Sequence, residues 1–453
     1  MIMKTIQSIK VQGWVKTLPL CLFTLMPLNA QDRLWSLSEC EDYAVAHNIT
    51  IKQKEKAVEK QVNNLSTAVN SRLPNLTGTV GQNFNFGRGL TEDNLYENRN
   101  TQNTSLQLTT SMPLFTGFQI PENIKVNRLN LEAATADLEK AKNDIRMQVA
   151  QAYVQILYDM EISAVAHRQI AIDSMQVARL QALVDNGKAS VSELSQQIAT
   201  LASGRLTATQ ADNKHRMSVL TLTQLLELPS PDGFGVVTPT EAQLEHIAAL
   251  NITNPEQIYE EAVSFKPEVR SQQLRLESTE HSIKVAKAGY YPKLNLNAGL
   301  GSNYYNVSGF DSDPFGRQLS HNFSQNIGLN LSIPIFSRFS VRNSVRNARV
   351  DRDNQQLTLD NTKKTLYKEI QQVYYNTLNA QAKERSSKEA VASSEDAFSL
   401  MQAKYENGKA NITEFNEAKN KYLKAQSDYV QARYEHLYQR ALLEFYRGSE
   451  LVF

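Results

Sequence analysis

Glu414 and Glu417 stand three residues apart in a stretch with helical patterning, so their carboxylates project from one face of a helix. Paired carboxylates of that kind can gather cations, or serve only as the solvated acidic side of a helix. They follow the turn Asn407-Gly408-Lys409-Ala410, and the same four residues occur 221 positions earlier as Asn186-Gly187-Lys188-Ala189. Gly187 and Gly408 supply the left-handed conformation that ends a helix. Ser190 with Glu193 then forms a capping-box pattern, and Asn411 with Glu414 a close variant. Each stretch is a tight helix–turn–helix tip, used twice.

Little else in the chain has the spacing of a reactive site. The seven His residues are scattered, with neither HExxH nor paired metal spacing. Gly299-Leu300-Gly301 lies in a strand-like run and continues as Ser-Asn-Tyr, not as a dinucleotide fingerprint. No catalytic constellation can be assembled, so neither an enzyme nor a resident cofactor or metal is expected. A formal net charge of +1 gives no reason to expect nucleic acid as a partner. A mean hydropathy of −0.43 is too polar for a bundle of membrane helices.

The elements that carry the tips begin after a separate leading segment. Residues 1–30 hold Lys4, Lys10 and Lys16 without acids, then the apolar run from Leu18 to Met26. This is the pattern of a secretory signal peptide, too short in its apolar part to span a membrane. Leu18-Pro19-Leu20 before Cys21 lacks the small residues of a lipoprotein signal, so lipidation is not expected. Cys40 is then alone, and its place on an apolar helix face suits a small core residue.

From Leu37 to about Arg72 the pattern is helical, with Ser38 and Glu41 as a capping box, and Pro74 ends it. The period then changes from 3.6 to 2. Leu76, Val80, Phe84 and Phe86 fall on one side of a strand; Asn75, Thr77, Thr79, Asn83 and Asn85 fall on the other. A polar loop at 88–103 leads to a second alternating run through Leu106, Leu108, Met112 and Leu114. From Pro121 to about Asp185 neither Pro nor Gly occurs, and Ile145, Val149, Ala152 and Ile156 form an apolar stripe. A helix of that length spans roughly 100 Å, more than one globular core can use, and implies an antiparallel coiled coil or an extended tube. A helix from about Ser190 to Leu228 returns from the tip.

Residues 229–256 are rich in Pro and Gly and form a linker, with one short strand at Phe234-Gly235-Val236-Val237. The order then repeats. A helix at 257–288 leads to Pro292, the counterpart of Pro74; Leu294, Leu296, Ala298 and Leu300 alternate with polar residues and Gly. A loop at 306–321 follows, then a run through Ile327, Leu329, Leu331 and Ile333. The 221-residue offset pairs Leu108 with Leu329, Pro113 with Pro334 and Tyr153 with Tyr374, and reaches the tips without a gap. The chain divides into a signal segment (1–30), a first repeat (31–228), the linker (229–256) and a second repeat (257–453). The expected class is mainly α with a small β part, built by internal tandem duplication.

Each of the four strands, 11–14 residues by this reading, has one apolar and one polar face. That fits strands that cross a membrane or a small soluble sandwich capping the helices. Four strands cannot close a barrel alone, so a membrane barrel must be shared between chains. The signal peptide and the turn-free long helices favour the membrane.

Helix–hairpin–long helix–tip–helix, given twice after a signal peptide, resembles the TolC-like outer membrane efflux proteins, or outer membrane factors, from Leu37 to Gly448. The most specific text is Tyr405-Glu406-Asn407-Gly408 with Glu414, Glu417-Ala418 and Tyr422 through Ala432-Arg433-Tyr434. Pro113-Leu114-Phe115 and Pro334-Ile335-Phe336, at the strand-to-helix junctions, are also similar to family text. The resemblance implies a homotrimer: twelve strands as one barrel in the outer membrane of a Gram-negative bacterium, continuous with a helical tunnel across the periplasm. It implies tips that dock to a periplasmic adaptor protein and, through it, to an inner-membrane pump. The duct would passively export the substrates of drug efflux or type I secretion.

Around a threefold axis Glu414 and Glu417 would form an acidic entrance ring. The resemblance makes Glu193 and Tyr405 entrance contacts, while Ala410 stands where the family has a tip arginine. Val191 and Ile412, apolar beside an exposed turn, would suit docking to an adaptor's helical hairpin or local packing of the turn; Gly187, Lys188, Gly408 and Lys409 shape the docking tips. The rival classes are a periplasmic coiled-coil adaptor, which would need one hairpin and lipoyl-like halves, and a structural coiled coil, which would not need amphipathic strands.

Overall fold

The structure is a computed structural model that describes residues 33–90, 94–244 and 252–451. The expected signal peptide lies outside these residues. Two arms of equal design make up the chain. The first contains α1 (Leu37–His47), α2 (Ile49–Asn70), β2 (Asn75–Asn85), β5 (Thr101–Phe115), α3 (Gln119–Asp185) and α4 (Val191–Leu225). The second contains α5 (Pro255–Phe265), α6 (Pro267–Lys287), β7 (Lys293–Val307), β8 (Ser324–Ser332), α8 (Ser340–Glu406) and α9 (Ile412–Tyr446). Minor pieces among the described residues include β1 (Arg33–Trp35), β3 (Arg88–Leu90), β4 (Tyr96–Asn98), β6 (Phe234–Val236), α7 (Phe315–His321) and a 3-10 turn at Ala288–Tyr290.

The duplication is regular to the residue. α1 and α2 recur as α5 and α6 after a shift of 218 residues, from Leu37 to Pro255 and from Ile49 to Pro267. α3 and α4 recur as α8 and α9 after 221, from Gln119 to Ser340 and from Val191 to Ile412. The three extra residues fall between the two strands of the second hairpin.

The sheet runs β2-β5-β7-β8, antiparallel throughout. Its pairing lines up one apolar face: Val80 opposite Leu106, Leu108 opposite Leu300, Met112 opposite Leu296 and Leu296 opposite Leu329. The other face carries Asn, Thr, Ser and Gly, as with Thr109 opposite Gly299 and Gly299 opposite Asn326. Leu76, Val80, Ile327 and Leu329 are all exposed, and among the described residues the outer edges of β2 and β8 pair with nothing. α3 and α4, and likewise α8 and α9, fold back on each other as long hairpins, and α3 also packs on α6 and α9. At 67 residues, α3 and α8 each span about 100 Å.

The main core sits midway along the helices. Ile145, Val149, Ala152 and Ile156 of α3 are all buried there, beside Cys40, Ile258, Ile370 and Leu443. The parallel pair β1–β6 closes over this core, where the Tyr153 hydroxyl donates to the Val237 carbonyl at 2.7 Å.

Several local expectations are corrected. The expected single helix 37–72 is two, broken at Asn48, whose side chain caps α2 through the Thr50 amide at 2.9 Å. The capping box is Ser36 with Glu39, not Ser38 with Glu41, because burying Leu37 requires the helix to begin there. The expected helix 257–288 is likewise two, parted at Lys266 because Pro267 holds the residue before it extended. The loop 88–103 contains the small hairpin β3–β4, and the loop 306–321 contains α7, started after Pro314. The four main strands have 11, 15, 15 and 9 residues, a wider spread than the 11–14 read from alternation.

Candidate functional site at the paired helical tips

Both tips close in the same way. Gly187 and Gly408 each have φ +67°, and neither would meet any atom with an added Cβ, so they are required for conformation and not for space. The Gly187 amide donates to Val184 O at 2.9 Å and the Lys188 amide to Leu183 O at 2.7 Å. At the second tip Gly408 donates to Tyr405 O at 3.1 Å and Lys409 to Lys404 O at 2.8 Å. These bonds satisfy the last carbonyls of α3 and α8 in the Schellman pattern. Lys188 and Lys409 point their charges into solvent.

The return helices start on the capping boxes. Ser190 Oγ accepts from the Glu193 amide at 3.1 Å, and Asn411 Oδ1 from the Glu414 amide at 2.9 Å. In exchange the Glu414 carboxylate accepts from the Asn411 amide at 3.0 Å, which ties one of its oxygens to the helix start. Glu417 is exposed on the next turn and accepts from Lys421 at 2.8 Å. That bond holds the Glu417 carboxyl below the usual carboxylate range. Both acids therefore face solvent, one bound to backbone and one to a neighbouring lysine.

The apolar residues beside the turns have separate fates. Val191 is 66% exposed, whereas Ile412 is 4% exposed and packs with Phe415, Phe398, Leu180 and Leu194. Ile412 is thus a core residue of the tip in this chain, and Val191 alone of the two presents an apolar surface. Tyr405 stacks on Phe415 with ring centroids 5.0 Å apart. The Arg179 guanidinium of α3 lies 5.4 Å over the Tyr405 ring and donates to the Glu406 carbonyl at 2.9 Å. A cation does meet Tyr405, then, but it comes from the other hairpin and not from position 410.

One turn further from the tip, polar groups replace the apolar core. Lys419 of α9 makes an ion pair with Asp173 of α3, and both side chains are wholly buried. Gln197 of α4 donates to the same Asp173 oxygen at 3.2 Å, and Asn416 donates to Gln197 at 3.1 Å. Three helices from both hairpins therefore meet on one buried charge pair. Removing one partner of such a pair strands the other in a low-dielectric core, at a cost of about 3–5 kcal/mol.

Asp173, Arg179, Gln197, Asn416 and Lys419 were not singled out from sequence. The available signal was a lone acid and a lone base inside apolar stripes: Asp173 shares a helix face with Leu180, and Lys419 shares one with Ile412 and Phe415. Among the described residues no group of three or more His, Cys, Asp and Glu is placed to hold a metal ion, and no helix is long and apolar enough to cross a membrane.

The outer membrane efflux protein family model matches residues 42–227 and 258–449, one match in each arm. The chain is 22% identical over 395 residues to the outer membrane efflux protein BepC of Brucella suis, covering 86% of this chain and 80% of that one. It is 22% identical over 400 residues to the outer membrane protein TolC of Escherichia coli (strain K12), covering 85% and 75%. Its fold superposes on the open state of the MtrE outer membrane channel of Neisseria gonorrhoeae with a TM-score of 0.72 at 16% identity, over 94% of both chains. With both arms matched, an amphipathic sheet at one end and two helical tips at the other, the chain belongs to the outer membrane efflux protein family and is an outer-membrane exit duct of Gram-negative efflux.

Proposed function

We propose that three copies of the chain close one twelve-stranded barrel in the outer membrane, continued inward by a helical tunnel that ends in six tips. The single observation that carries this is the sheet with two unpaired, apolar-faced edges. An open edge in lipid leaves backbone groups unsatisfied, so the edges must meet another copy. β2 and β8 run in opposite senses within the sheet, so copies set around a common axis pair β8 to β2 antiparallel, as the strands pair within the chain. The duct is passive and energised by an inner-membrane pump, which reaches the tips through a periplasmic adaptor. Its cargo belongs to drug efflux or to type I secretion.

At the entrance, Glu414 and Glu417 supply a ring of carboxylates that favours cations, with Glu193 and Tyr405 acting beside them. Val191 at the first tip meets the adaptor, and the turns at Gly187, Lys188, Gly408 and Lys409 give the tips their shape. The membrane fraction should yield an oligomer on gels that falls to monomer only on heating, and the purified oligomer should conduct ions across a planar bilayer. A protein released from membranes by salt alone, or one that never conducts, defeats the proposal. If Gln at both 414 and 417 leaves conductance and block by divalent cations unchanged, the ring is lost while the duct stands.

A further inference from the structure

The duplication allows the contact between copies to be read from a contact inside one copy. Entry elements, α2 and β2, recur after 218 residues, and exit elements, β5 and α3, recur after 221. The hairpins test these shifts independently: Asn75 lies opposite Ser111 in the first, and Lys293 opposite Ser332 in the second. Both shifts hold at once. The chain also contains one joint between an exit strand and the next entry strand, β5 with β7. Its counterpart, β8 with a following β2, does not occur among the described residues.

We propose that β8 of one copy pairs with β2 of the next in the register of the β5–β7 joint. This rests on the reading that several copies close one barrel. In the existing joint Thr110 lies opposite Ala298 and Thr109 opposite Gly299. The shifts convert these to Leu331 opposite Val80 of the next copy, and Asn330 opposite Gly81. Further along they set Ile327 opposite Phe84 and Asn326 opposite Asn85. On one face Leu331 and Ile327 meet apolar partners and Leu329 meets Gln82; on the other Asn330, Gly328 and Asn326 meet Gly81, Asn83 and Asn85, and neither face was used to derive the register. A slip of one residue would put Leu331, Leu329 and Ile327 each against a polar residue or glycine.

Burial outside the sheet agrees. Leu129 on α3 is 8% exposed because it packs against Leu274 of α6. Its counterpart on α8, Val350, is 56% exposed, and the helix that corresponds to α6 is α2, which on this reading belongs to the next copy. Phe118 meets Tyr291 edge to face, with ring centroids 6.3 Å apart. The counterparts, Phe339 and Leu73, are both exposed. In one place the copies differ. Gly117 leaves no room for a Cβ against Tyr291 and the Ala288 carbonyl, but its counterpart is Arg338, at φ +52°. The joint between copies must therefore be wider at that point. Each copy gives one edge and receives the other, the head-to-tail arrangement that closes into a ring.

The test uses cysteine pairs in a Cys40→Ala background, oxidised in native membranes and run on denaturing gels without reductant. Opposed pairs alternate in spacing along an antiparallel ladder, so one pair is taken from each face: Val80→Cys with Leu331→Cys, and Gly81→Cys with Asn330→Cys. At least one should give covalent trimer, about tenfold more than its two-residue-shifted controls, Val80→Cys with Leu329→Cys and Gly81→Cys with Gly328→Cys. Single-cysteine variants that keep the heat-sensitive oligomer show that folding survives. If the shifted pairs link and the proposed ones do not, the register is overturned and the shared barrel stands. If no pair links although the oligomer forms, the joint itself is overturned. If no oligomer forms even without cysteines, the reading of a shared barrel falls first.

Discussion

At the first tip Val191 and Ile198 lie open to solvent; at the second, their counterparts Ile412 and Lys419 are buried. Leu194 corresponds to Phe415, and Asp173 to the smaller Ser394. The backbone of the turn, its glycine and its capping box are the same in both. Duplication has therefore kept what the turn needs locally and changed what the helix faces show. The second hairpin turns an aromatic face and a lysine towards the first, and the first answers with Asp173 and Arg179. An apolar residue left outside and a charge taken inside, at matching positions, mark which hairpin is clasped and which has a face to spare.

The largest test of that asymmetry is the buried charge. Lys419→Met should destabilise the protein by about 3–5 kcal/mol in denaturant unfolding, and Asp173→Leu added to it should recover most of the loss. Ile198→Ser, at the matching position, should change stability by less than about 0.5 kcal/mol. Next comes the aromatic core: Phe415→Ala should cost about 3–4 kcal/mol, and Leu194→Ala, its counterpart, about 2–3 kcal/mol. Equal losses would erase the claim that the second tip holds more of the core.

A control away from both tips is Glu41, which burial pushes up to about 7. A raised carboxyl contributes stability that is complete below pH 4.5 and is lost as pH rises through about 7. Glu41→Gln should therefore match the parent near pH 4.5 and exceed it by about 2 kcal/mol at pH 8, as melting curves at the two pH values would show. Gly187→Ala and Gly408→Ala should each cost about 1 kcal/mol, and equally, since the turns are alike. The smallest effect on stability belongs to Val191→Ser, below about 0.5 kcal/mol, while co-purification of the adaptor should fall. If Val191→Ser leaves that association intact, the exposed face of the first tip serves something else.

What could be read from sequence follows from how local the cause is. The tips were legible because Asn-Gly and a capping residue act within a few positions, and the strands because period 2 shows in a single stretch. The break at Asn48 was not, since neither Pro nor Gly marks it; its counterpart at Lys266 has Pro267 beside it, yet the helical pattern still reads as continuous through it. Ile412 and Val191 look alike in sequence, and only the packing of Ile412 against Phe398, Phe415, Leu180 and Leu194 separates them. Asp173 and Lys419 stand 246 positions apart, and nothing near either one announces the other. The duplication was legible as a repeat, and Pro74 with Pro292 already carried the shift of 218 that the helix bounds extend to the whole entry arm.

The long helices have one more consequence. α3 and α8 have 67 residues each, and α4 and α9 have 35 each. Legs of equal length bring both tips to one height, so a rim made from several copies is level. A change in reach must then be made twice to be tolerated. Deleting seven residues from one leg would lift its tip by about 10 Å and tilt the rim, while the same deletion in both arms would shorten the whole stand and keep it flat.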